Sequence, residues 1–71
     1  SYTTKLFQKG IPKIAQKVGE EAVETVIEAV AQNKPDMIYE ASDLIYHLLV
    51  LLEANDLSIA DLEAELAKRH K

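Results

Sequence analysis

The stretch from Pro35 to Ala54 constrains this chain more than any other part of it. Projected as a helix at about 100° per residue, it spreads Met37, Ile38, Ala41, Leu44, Ile45, Leu48, Leu49, Leu51 and Leu52 around most of the circumference. Tyr39 and Tyr46 stand near one flank, as core or interface residues whose hydroxyls need polar partners. A helix that is apolar nearly all round is normally buried. A chain of 71 residues can hardly surround one. Chains this short hide only about 60% of the surface their unfolded forms expose. A partner chain is therefore expected. There are no cysteines, which excludes a disulfide framework, a thiolate zinc site and a cysteine nucleophile. A metal ion and a partner subunit remain as sources of extra stability.

Four helices are expected, in a small all-α bundle completed by dimerisation. The first runs from about Thr3 to Lys9 and stops at Gly10. Pro12 opens the second at a first-turn position, and it continues to about Gln32. Gly19 lies inside it at a cost of ~1 kcal/mol relative to alanine. Either that weakness is simply tolerated, or a ligand or neighbouring helix approaches the backbone there. Asn33-Lys34-Pro35 breaks the pattern, and the third helix spans about Pro35 to Ala54. Ser58 and Asp61 form the pattern of a capping box for a fourth helix. Ile59, Leu62 and Leu66 give that helix one apolar face for packing. The chain is expected to form one domain over residues 1–71.

The third helix also carries acid where it should be driest. Asp36, Glu40, Asp43 and His47 fall within roughly 60° of arc. On the second helix Glu20, Glu21, Glu24 and Glu28 share a band of roughly 100° with Lys13 and Lys17. Glu21/Glu24 and Glu40/Asp43 are each spaced i and i+3, so each pair projects side by side. Two helices joined by a short loop pack antiparallel. That would face the two pairs and gather four carboxylates, with Glu20 beside them. Buried carboxylates need pairing, protonation or a metal. Hard oxygen donors of this kind suit Mg²⁺, or Mn²⁺ as the alternative. Mg²⁺ typically takes further ligands from substrate phosphates, so metal-assisted phosphoanhydride chemistry is one reading. Charge compensation by lysines across a dimer is the other. Lys13 and Lys17 either hold phosphate oxygens or make ordinary i, i+4 ion pairs. His47 reads as a hydrogen-bonded core histidine rather than a ligand.

Lys and Arg total 8 against 12 Asp and Glu, a net charge of −4. That argues against a nucleic-acid-binding surface. No apolar run is long enough to span a membrane. No segment has the form of a signal peptide, so a cytoplasmic location is expected.

Glu20-Glu21-Ala22-Val23-Glu24, followed by Glu40-Ala41-Ser42-Asp43, resembles the EExxE…ExxD signature of the all-α NTP pyrophosphatase superfamily. The flanks Lys17-Val18-Gly19-Glu20-Glu21 and Asp43-Leu44-Ile45-Tyr46-His47 narrow the resemblance to the phosphoribosyl-ATP pyrophosphohydrolases. The resemblance implies a helical homodimer of histidine biosynthesis acting on a nucleotide. Its members cleave phosphoribosyl-ATP between the α and β phosphates with Mg²⁺, giving phosphoribosyl-AMP and pyrophosphate. It implies Glu21, Glu24, Glu40 and Asp43 as metal ligands, with Glu20 as an additional ligand or water-orienting group. No separate organic cofactor is implied. Family members usually carry another helix ahead of the segment matching Ser1-Tyr2-Thr3, and this sequence does not contain it. Two other functions compete: a house-cleaning nucleoside triphosphate pyrophosphatase of the same superfamily, and a non-catalytic helical dimerisation module.

Overall fold

A computed structural model describes residues 1–70 of the chain. They form four helices, α1 (Tyr2–Lys9), α2 (Ile11–Val30), α3 (Lys34–Ala54) and α4 (Ile59–Arg69), and no strand among the described residues. Each boundary has a local cause. Ser1 accepts the Thr4 amide proton at the start of α1, one residue earlier than the sequence pattern predicts. Gly10 separates α1 from α2 with φ at 88°, a conformation that favours glycine. α2 ends at Val30 rather than at Gln32, because Gln32 turns to φ 59° and the Asn33 amide bonds back to the Glu28 carbonyl. Asn33 then caps α3, its side chain accepting from the Asp36 amide and donating to the Asp36 carboxylate. At α4, Asp61 accepts from the Ser58 amide at 2.9 Å, as the capping-box pattern predicts.

The short turn at residues 31–33 folds α2 back along α3, and this hairpin is the body of the molecule. Its apolar core lies at the end far from the turn, where Leu6 of α1, Ile14 of α2 and Val50 of α3 are buried together. Leu51 and Ala54 pack against that cluster. The middle of the seam is acidic. Glu21 is buried there and Glu40 and Asp43 are half-buried.

The chain covers only part of its own apolar surface. Val23, Val26, Ile27 and Val30 leave one side of α2 open, and Val30 is 80% exposed. Ile38, Ile45 and Leu49 do the same on α3, with Ile38 at 68%. The expectation that α4 packs through its apolar face needs correcting. It buries no residue, Ile59 and Leu66 are exposed, and it makes little contact with the other helices. The turn through Asp56, at φ 59°, leads into α4, on whose apolar face Leu62 is half-buried while Ile59 and Leu66 stay open.

A Cβ built on Gly19 meets nothing within 4 Å, so no close approach within the chain requires glycine there. Gly19→Ala is expected to stabilise the fold by about 1 kcal/mol through helix propensity. In a domain of this size that amounts to a rise of roughly 4–8 °C in Tm, readable by circular dichroism. A fall in Tm would show that another molecule packs on that backbone.

Candidate functional site

The antiparallel hairpin brings the two acidic rows together. Carboxylate oxygens of Glu21, Glu24 and Glu40 lie within 4.8 Å of one another. Glu21 also approaches Asp43 and His47, one ligand-capable atom of each lying within the same 4.8 Å limit. Glu21 is only 4% exposed and joins the two groups. Its Oε2 and the Oε2 of Glu40 are both buried without any hydrogen-bond partner. Buried carboxylate oxygens are seldom left in that condition, since each forfeits its water without compensation.

The electrostatics follow from this crowding. The Glu24 carboxylate beside Glu40, with loss of water and then the Glu21 charge, pushes the Glu40 pKa up to about 7. Burial, followed by the proximity of Glu21, raises Asp43 above its ordinary range. These groups resist being charged together without a cation.

Lys17 supplies part of the missing positive charge. Its Nζ lies 3.2 Å from Glu20 Oε1 and 3.5 Å from Glu21 Oε1. The bond to Glu20 raises the Lys17 pKa, keeping it protonated. Glu20 itself does not join the cluster. Gln16 donates to its Oε2 at 2.7 Å and Lys17 to its Oε1, and these bonds lower its pKa. Lys13 is half-buried one turn before Lys17 and makes no ion pair among the described residues.

His47 is a core histidine, as its position on the apolar helix predicts. Nδ1 lies 2.7 Å from the Asp43 carbonyl oxygen and Nε2 lies 2.8 Å from the Tyr2 hydroxyl. With both nitrogens engaged, it has none free for a metal. Tyr2 is the partner that sequence reasoning missed, because no periodicity links residue 2 to residue 47. Tyr46 bonds to the Thr3 hydroxyl and stacks on Tyr2, so its hydroxyl finds a partner as expected, but it stays at the surface, and Tyr39 is 69% exposed and packs into no core of this chain. Beside Asp43, an open cleft of about 330 Å³ is lined by Tyr39, Ser42, Asp43 and Tyr46.

Residues 1–70 match the family model for phosphoribosyl-ATP pyrophosphohydrolase. The chain belongs to the phosphoribosyl-ATP pyrophosphohydrolase family. Among its relatives is the histidine biosynthesis bifunctional protein HisIE of Bacteroides thetaiotaomicron, 61% identical over 70 residues. That alignment covers 99% of this chain and 34% of the relative. The phosphoribosyl-ATP pyrophosphatase of Novosphingobium aromaticivorans is 56% identical over 69 residues, covering 97% of this chain and 64% of that protein. The HisIE protein of Haemophilus influenzae is 56% identical over 71 residues, covering all of this chain and 32% of the relative. The chain thus spans about a third of the length of these bifunctional relatives and less than two thirds of the pyrophosphatase. The four helices agree with the all-α fold that the family resemblance implies.

The donor set fits a hard divalent cation: all-oxygen, anionic, and holding two buried oxygens with no proton donor. The same crowding makes cation-free stability depend on pH. Glu40 binds its proton more tightly folded than unfolded, so the native state holds more protons between its ordinary pKa of 4.5 and about 7. Stability from this group is full below that window and is lost as pH rises through it. In EDTA, the Tm is expected to fall between pH 5 and pH 8, and Glu40→Gln should flatten the fall. A Tm that rises over this range would show that the carboxylates are not crowded in solution.

Proposed function

We propose that this chain forms the catalytic domain of a phosphoribosyl-ATP pyrophosphohydrolase, hydrolysing phosphoribosyl-ATP to phosphoribosyl-AMP and pyrophosphate in histidine biosynthesis. The observation that carries the reading is the convergence of Glu21, Glu24, Glu40 and Asp43 on the α2/α3 seam, with two buried oxygens left unpartnered. Family membership and the names of the relatives supply the substrate. We take residues 1–71 as one all-α domain and the cytoplasm as its place of action; no helix among the described residues is long and apolar enough to cross a membrane.

Glu21, Glu24, Glu40 and Asp43 would hold Mg²⁺, or Mn²⁺ in its place. A divalent cation held there supplies charge neutralisation for the phosphates and a more acidic water as nucleophile. The chain's own residues account for the rest. Lys17, kept protonated by Glu20, stands next to Glu21 to receive phosphate oxygens, and Lys13 lies one turn away on the same band. Glu20 serves by holding Lys17. Gln16 and Lys17 hold its pKa below the ordinary carboxylate range. The cleft beside Asp43, lined in part by Tyr39 and Tyr46, would receive the ribose or base of the nucleotide. No covalent intermediate is needed.

The working form in this reading is a homodimer. The open apolar sides of α2 and α3, around Val26, Val30, Ile38 and Ile45, are the surfaces a second copy would cover. Val26→Lys is expected to shift the chain from dimer to monomer in sedimentation velocity. A wild-type chain that sediments as a monomer at micromolar concentration would remove the dimer from the proposal.

Glu24→Gln and Asp43→Asn should each lower turnover of phosphoribosyl-ATP by more than the about 10–100-fold that loss of an outer-shell partner costs. Helicity should be retained. Normal activity in either variant would remove that residue from the site. Assay against ordinary nucleoside triphosphates separates this reading from a house-cleaning pyrophosphatase, which would prefer them. The absence of Mn²⁺ binding, with or without nucleotide, would favour a non-catalytic module.

A further inference from the structure

His47 is 2% exposed and lies where α1 closes over the hairpin. A carbonyl oxygen can only accept, so the 2.7 Å contact with the Asp43 main chain assigns the proton to Nδ1. In that tautomer Nε2 is the acceptor of the Tyr2 hydroxyl proton at 2.8 Å. The ring meets Tyr2 and Tyr46 edge-on, with centroids 5.7 and 5.1 Å away, so it is clamped against rotation.

The same Nδ1–H faces a second oxygen. Asp43 Oδ1 lies 3.5 Å from Nδ1, outside hydrogen-bond geometry but near enough to feel the N–H dipole, and no protein donor hydrogen-bonds the Asp43 carboxylate among the described residues. Asp43 stands against Glu21, whose charge repels it. Repulsion alone would swing a half-buried aspartate outward to water. An N–H dipole fixed on its inner side opposes that swing.

We propose that Tyr2 and His47 are positioning residues for the cation site. His47 Nδ1–H holds the Asp43 carboxylate towards Glu21, and the Tyr2 hydroxyl holds the ring that does so. Docking of α1 thereby preorganises a ligand on α3, although α1 contributes no ligand. This inference rests on reading the four carboxylates as cation ligands.

Two substitutions separate positioning from packing. Asparagine places an amide N–H near the position of Nδ1, whereas glutamine reaches the position of Nε2 and leaves the Nδ1 position empty. Mn²⁺ binding to the full chain, followed by electron paramagnetic resonance of the free ion, reads the difference without turnover. We expect His47→Gln to weaken Mn²⁺ binding about 10-fold or more. His47→Asn should rescue most of the loss. Tyr2→Phe, which keeps the ring stacking, should weaken binding several-fold at unchanged helicity. Equal losses in the Asn and Gln variants, or wild-type affinity in all three, would overturn the positioning role while leaving the cation site intact. If the wild-type chain binds no Mn²⁺ with or without nucleotide, the cation reading fails, and this inference fails with it.

Discussion

Mutual repulsion among carboxylates on the seam between α2 and α3 is the constraint to which the rest of this molecule answers. Hairpin seams are ordinarily apolar. Here the middle of the seam carries Glu21, Glu24, Glu40 and Asp43, and two of their oxygens have neither water nor a donor. Such an arrangement opposes closure of the helices and favours opening, protonation or capture of positive charge. Beside Glu24, the Glu40 carboxyl is accordingly pushed up to about 7.

The remaining contacts work against the opening. The apolar cluster of Leu6, Ile14 and Val50 closes the hairpin at the end away from the turn. The α1 helix adds Tyr2 and Thr3, whose hydroxyls bond to His47 and Tyr46 on α3. At the other end Asn33 closes the turn with its bonds to Asp36. The acidic middle is thus held between two fastened ends. Lys17 reduces its charge without removing it.

Much of this was legible in the residues alone. The i, i+3 pairs on two helices joined by a short turn were enough to bring Glu21/Glu24 against Glu40/Asp43, because helix periodicity and antiparallel packing fix that juxtaposition. Gly10, Asn33-Lys34-Pro35 and Ser58/Asp61 marked the breaks, since each has a local backbone reason. Less accessible was anything decided by contact over a long chain separation. The bond from Tyr2 to His47 depends on how α1 docks, and the exposure of Ile59 and Leu66 on α4 depends on which helices reach that face. The partners of Glu20 were also not evident from the band alone. It shares the acidic band, and its i−4 and i−3 neighbours Gln16 and Lys17 on the same helix take both of its oxygens.

All four converging carboxylates lie between Glu21 and Asp43, on two helices joined by one tight turn. The donor set is therefore portable. Among the described residues its geometry rests on the α2–α3 hairpin and the short α1 helix beside it. A donor arrangement confined to one hairpin needs few long-range contacts to form. That modularity agrees with its occurrence within relatives about three times its length.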